Sequence, residues 1–275
     1  MKQSLLFICT AFLLQSCSVG NLFEGLGDTP SGSGNPTFPQ GQSACRIKTF
    51  TVPASGGGNV YQVTYNYFEM ITDMVSSLKK VKYVYNNTGL ASIEYYNTGN
   101  LQAYHRRDLS YDASGYLSEE KNYDYTAGAW QYIDRTVYTY AGFKVVQKDK
   151  YAAGTTYTGK QTFDYTGENI TTQKVYDAAG VLTATYNYSY NLARTNSFYN
   201  NFSQMTQVEP FPDDITTMPF YSARNEPVHI DAIIPGAPAT TPAQNNFTYT
   251  YNSSGMSNTV NYNGAFYRGF THTCD

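Results

Sequence analysis

The chain has 275 residues, 41% of them hydrophobic, yet 28 are tyrosine, only 14% are charged, and the formal net charge is −3. So much tyrosine among so few aliphatics excludes a membrane helix bundle and a leucine-rich helical core. The acidic balance leaves no basic field to hold nucleic acid.

Residues 1–16 place Lys2 ahead of an apolar run from Leu5 to Leu14, well short of the ~20 residues a spanning helix needs. This reads as an export signal. It runs into Leu14-Gln15-Ser16-Cys17, which resembles the lipobox of bacterial lipoproteins. By that resemblance Cys17 is lipidated and becomes the first mature residue, so acyl chains hold the protein to a membrane without a spanning helix. Residues 17–44 follow as a tether, rich in Gly and broken by Pro30, Pro36 and Pro39, which sustains neither a helix nor a central strand. Ser18-Val19-Gly20-Asn21 carries no acidic residue, which points to the periplasmic side of the outer membrane, with surface exposure as the alternative. Cys9 leaves with the signal and Cys17 is acylated, so Cys45 and Cys274 remain as the one pair for a disulfide in an oxidising compartment.

The domain expected at 45–275 is built on a repeat. Tyrosine, a short polar turn and glycine recur in YNNTG from Tyr85, YDASGYL from Tyr111, YAG from Tyr140, YTG from Tyr165, YDAAGVL from Tyr176 and YNSSG from Tyr251. Gly89, Gly99, Gly115, Gly128, Gly142, Gly154, Gly167 and Gly180 are spaced 13 residues apart on average. That interval holds one strand and one tight turn, so the spacing predicts an antiparallel meander of hairpins. Strict alternation puts Trp130, Tyr132, Tyr138 and Tyr140 on one face, likewise Tyr157, Phe163 and Tyr165, and Tyr186, Tyr188 and Tyr190. Lys144, Lys148, Lys150, Lys160 and Asp164 fall on the opposite, wet face. Asp134, Gln147 and Asp149 interrupt the aromatic face, making it too polar for a lipid-facing band, so the domain is expected to stand in water.

YDASGYL and YDAAGVL resemble the tyrosine-aspartate repeats of bacterial toxins and shell proteins. The combination of lipobox, Gly- and Pro-rich tether, tyrosine-rich meander, terminal YNSSG hairpin and the segment Tyr221-Ser222-Ala223-Arg224-Asn225-Glu226-Pro227-Val228 resembles exported Bacteroidetes lipoproteins of unknown function. The resemblance implies a porin-like β-barrel and supplies no catalytic residues.

The repeat fails at 193–246, where seven of the eleven prolines fall; this predicts an irregular excursion. Catalytic signals are sparse. His105, His229 and His272 lie far apart, the GSG at Gly32 and GGG at Gly56 do not join a strand to a helix, and HExxH, paired CxxC and GxSxG do not occur. Asp213-Asp214 is a candidate for calcium or for a carboxylate pair acting on a glycan, although adjacent acids in such a loop are ordinarily just solvated. Lys79-Lys80 and Arg106-Arg107 read as strand-surface charge.

The expected fold is therefore an all-β antiparallel meander of twelve to fourteen strands, closed into a barrel, with an open single-layer sheet as the alternative. The expected function is that of a non-catalytic envelope lipoprotein, without cofactor or metal, that binds a ligand such as a glycan or scaffolds another envelope protein. Trp130, Tyr132, Tyr138 and Tyr140 are the candidate sugar-stacking aromatics. A glycan-active enzyme and a carrier of lipids or other apolar ligands are the alternatives.

Overall fold

The fold is given by a computed structural model that describes residues 45–52, 59–67, 70–87, 89–196, 223–236 and 245–274. Cys17, the tether, and Asp213 and Asp214 lie outside the described residues.

Among the described residues sixteen strands follow one another: β1 (Cys45–Val52), β2 (Asn59–Tyr65), β3 (Ile71–Val75), β4 (Lys79–Asn86), β5 (Gly89–Asn97), β6 (Gln102–Tyr111), β7 (Leu117–Thr126) and β8 (Ala129–Ala141). The second half is β9 (Lys144–Ala152), β10 (Tyr157–Thr166), β11 (Asn169–Asp177), β12 (Leu182–Thr195), β13 (Asn225–Ile233), β14 (Asn245–Tyr251), β15 (Ser257–Tyr262) and β16 (Ala265–Cys274). Each pairs antiparallel with its neighbours in sequence, and β16 pairs with β1 to close the barrel. The end where β1 begins and β16 finishes is here the lower end.

The closed meander is as expected, but the strand count exceeds twelve to fourteen. The 13-residue rule starts only at Gly89 and cannot register strands as short as β3, with five residues, or β15, with six. The excursion at 193–246 is also partly regular, because β13 lies inside it and Pro227 sits on that strand. Proline is tolerated there because the register slips between Ser189 and Tyr190 of the facing strand, and a bulge relieves the missing donor.

The tight turns explain the Tyr-Asp and Tyr-Asn motifs. Asp112 Oδ1 accepts the amides of Ser114 and Tyr116, Asp177 Oδ1 those of Ala179 and Val181, and Asn252 Oδ1 those of Ser254 and Met256. The side chain thus replaces backbone partners that a five-residue loop cannot supply.

At the lower end one unit repeats. Tyr65, Tyr85, Tyr111, Tyr140 and Tyr165, each near the end of an even strand, pair across the turn with Ile71, Leu90, Leu117, Val145 and Ile170 at the start of the next odd strand. Immediately beside each pair the odd strand carries one extra residue, a β-bulge. Each tyrosine hydroxyl then reaches back to the start of the preceding odd strand. Tyr65 donates to the carbonyl of Ile47, Tyr85 to Ile71, Tyr111 to Leu90, Tyr140 to Leu117 and Tyr165 to Val145, all at 2.7–2.9 Å. Tyr190 continues to Ile170 and Tyr249 to Pro227, both at 2.6 Å. Every hairpin from β1 to β14 is stitched to the next by the same bond. Beside the last of them the buried Glu226 carboxylate accepts the hydroxyls of Tyr251 and Ser257, and burial pushes it above the ordinary carboxylate range.

This lower end is dry. A sixteen-strand barrel of porin type encloses an aqueous channel, yet Ile47, Ile71, Leu90, Leu117, Val145 and Ile170 all point inward with at most 4% exposure. Side chains, not water, fill this part of the lumen, and each such residue contributes ~1.5 to 3 kcal/mol at most. The outer wall is the opposite. Register places Asp73, Lys80, Lys82, Glu94, Arg106 and Lys121 outward at mid-wall, with ion pairs such as Lys80–Asp73 at 2.7 Å and Lys121–Glu119 at 2.9 Å. A lipid-facing wall carries an apolar band ~25 Å tall at that level. Among the described residues no helix is long and apolar enough to cross a membrane.

Candidate functional site: a polar cavity above a sealed floor

Above the layer of Tyr140, Leu117 and Val145, the lumen beside β6 to β10 opens into a cavity of about 710 Å³, within the ~300 to 1,000 Å³ of ligand pockets. Its lowest polar layer holds Arg107, Glu120, Tyr138 and Lys148. Glu120 is 7% exposed and Lys148 6%. The Tyr138 hydroxyl donates to Glu120 Oε2 at 3.0 Å, and Arg107 Nη1 stands 3.7 Å from Glu120 Oε1. Lys148 Nζ lies 4.9 Å from the centre of the Tyr138 ring, near enough for a cation–π attraction. Burial and the adjacent Glu120 carboxylate push the Tyr138 hydroxyl well above the ordinary phenol range, so it remains a donor.

Nearer the mouth, Asn122 Nδ2 donates to Asp134 Oδ1 at 2.6 Å, and His105 Nδ1 lies 2.8 Å from Asp124 Oδ1. An ionised carboxylate only accepts, which puts the His105 proton on Nδ1. Thr136, Gln161 and two further cations, Arg135 and Lys150, also line the cavity. Among the described residues no three His, Cys, Asp or Glu side chains are grouped to hold a metal ion.

The four aromatics expected to form one stacking face do not share one. The β7–β8 register slips at Ile133, so Trp130 and Tyr132 stand outward opposite Tyr125 and Tyr123, whereas Asp134 and the residues after it alternate from the inner face. Tyr138 therefore lines the cavity and Tyr140 belongs to the floor. The outer rings are tilted, Tyr123 to Tyr132 at 56° and Tyr125 to Trp130 at 69°, and the Arg106 guanidinium sits 4.9 Å from both the Tyr123 and Trp130 ring centres. That cluster packs against itself and presents no flat platform. Slips at Val146 and Thr158 likewise turn Lys148 and Lys150 inward and Tyr157 outward, reversing their expected faces. Arg107, expected on the surface, points into the cavity. The sequence carried no local sign of these cavity residues, since their convergence depends on where each bulge falls.

His229 is on the outer wall, bonded to Asn246 and Asp231. His272 points inward at the β1–β16 seam opposite Ile47, and Cys45 faces Cys274 in register beside it.

No protein-family model matches the chain, and no curated protein matches it. Among solved structures it is similar to a porin-like protein from Bacteroides vulgatus ATCC 8482, with a TM-score of 0.52 and 12% identity over 83% of this chain and 98% of that one. A porin-like protein from Bacteroides uniformis ATCC 8492 gives 0.48 and 11% over the same shares. The first likeness establishes the fold class, a closed all-β barrel of porin-like form.

Proposed function

We propose that the chain is an exported, lipid-anchored and non-catalytic envelope protein that binds a saccharide in the upper lumen of its barrel. The observation that carries this reading is the polar cavity standing over a dry, apolar floor. A floor packed with Ile, Leu and tyrosine argues against a conduit. The charged and amide lining argues against a carrier of lipids, because an apolar ligand would strip water from those groups without replacing its hydrogen bonds. Sugar hydroxyls, which donate and accept, do replace them. A glycan-active enzyme needs one carboxyl held as an acid across from a second acting as base or nucleophile; here Glu120 accepts from Tyr138, and Asp124 from His105.

The charged outer wall favours a barrel standing in water, held at the outer membrane by Cys17 and the tether. A glycan array probed with the full-length protein, run beside a hydrolysis assay, should show saccharide binding without product. Binding to no saccharide, or release of product, would sink the reading. Cys17→Ala should release the protein from the membrane fraction, and persistent attachment with normal export would refute the anchor.

A further inference from the structure

We infer that the saccharide taken by this cavity carries a carboxylate, received near the floor by Arg107 and Lys148. This rests on the saccharide-binding reading above. The lining sets four cations, Arg107, Arg135, Lys148 and Lys150, against three carboxylates, Glu120, Asp124 and Asp134, and Arg107 and Lys148 lie in its deepest polar layer. Both cations are shielded from water, the Arg107 side chain being 12% exposed. Their attraction for an anion is therefore much stronger than that of a surface lysine.

Two further features narrow the anion. The planar guanidinium fork matches the two oxygens of a carboxylate, and Lys148 adds a point charge beside it. Asn122, Thr136 and Gln161 line the same cavity and offer donors and acceptors to the hydroxyls of the ring that bears the carboxylate. A uronate, with one carboxylate per ring, satisfies both.

The test is titration calorimetry on the full-length protein with defined oligosaccharides of glucuronate, galacturonate and mannuronate, each paired with its carboxyl-reduced neutral form. The acid forms should bind about tenfold or more tightly than their reduced partners, and added salt should shrink that advantage. Lys148→Met should bring the ratio of acid to neutral affinity close to one, a ratio taken within the variant so that any change in neutral binding cancels. Arg107→Lys, which keeps the charge and loses the fork, should reduce it, and thermal melts of both variants establish that they fold. Equal binding of acid and reduced forms would overturn the carboxylate and leave the saccharide reading standing. Binding to neither form would overturn both, and tighter binding of a sulfated oligosaccharide would overturn the choice of anion.

Discussion

Replacing Tyr190 with phenylalanine removes one bond of the floor and nothing else. Its hydroxyl donates to the carbonyl of Ile170 at 2.6 Å, Ile170 is fully buried, and burial holds the hydroxyl far above the ordinary phenol range. The ring itself stays, so no cavity opens. What changes is that a carbonyl in a dry layer loses its donor, which costs ~1 to 3 kcal/mol. For a domain of this size each kcal/mol lowers the melting temperature by ~2 to 4 °C, so Tyr190→Phe should melt ~2 to 12 °C below the parent. Tyr125→Phe is the control, because that hydroxyl bonds Gly128 at 3.1 Å in an exposed turn and its loss should stay within ~0.5 kcal/mol. Tyr65→Phe, on a distant part of the ring, should add to Tyr190→Phe within ~0.5 kcal/mol. Calorimetric melts of the set decide the matter. If Tyr190→Phe costs no more than Tyr125→Phe, the hydroxyl chain is incidental and the floor is held by packing alone.

Gly159 has φ +141°, and a Cβ there would lie 2.2 Å from the Tyr176 carbonyl oxygen; Gly159→Ala should therefore prevent accumulation of folded protein. Gly128→Ala, at φ +82° with open space around it, should cost only ~1 to 2 kcal/mol in a urea melt. His272 occupies the tyrosine position of the last hairpin, its ring nitrogens have no hydrogen-bond partner among the described residues, and burial lowers its pKa below the ordinary value. The wild type should thus lose stability as pH falls from ~6.5 through the lower folded value, and His272→Tyr should remove that loss and raise stability by ~1 kcal/mol, as pH-dependent melts would register. Cys45 and Cys274 should form a disulfide, seen in intact-mass analysis as a gain of two hydrogens on reduction; two free thiols in exported protein would refute it.

The closed meander was legible because the tyrosine-turn-glycine spacing dictates strand length and turn chemistry together, and the two outlying cysteines pointed to the seam. The faces were legible only in part. Tyr186, Tyr188 and Tyr190 do share the inner face as alternation requires, because the slip between Ser189 and Tyr190 places its extra residue on β13 and leaves β12 regular. Between Tyr132 and Asp134 the alternation breaks, and nothing about Ile133 in the sequence announces the bulge. The result was a polar cavity hidden in residues that strict period-two reading scattered over both faces. Tyr111 and Tyr176 illustrate the same limit. They begin near-identical motifs, yet Tyr111 points inward at the lower end and Tyr176 outward at the upper end, where Lys160 covers its ring at 5.4 Å. The motif specifies the turn, and position in the barrel decides what its tyrosine does.

The hydroxyl chain also explains why the cysteines stand where they do. From Ile47 round to Tyr249 each hairpin is tied to the next by a half-buried bond. At the seam, His272 faces Ile47 where a tyrosine would continue the pattern, and its ring donates to nothing among the described residues. Two residues further along each strand, Cys45 stands opposite Cys274. Directly opposed residues in an antiparallel pair have Cα atoms ~4.5 to 5.5 Å apart, inside the range a disulfide spans. The expected crosslink thus falls beside the gap in the hydroxyl chain, where a covalent bond would stand in for the missing tyrosine bond. Without closure, β1 and β16 would each present an unpaired edge to other chains.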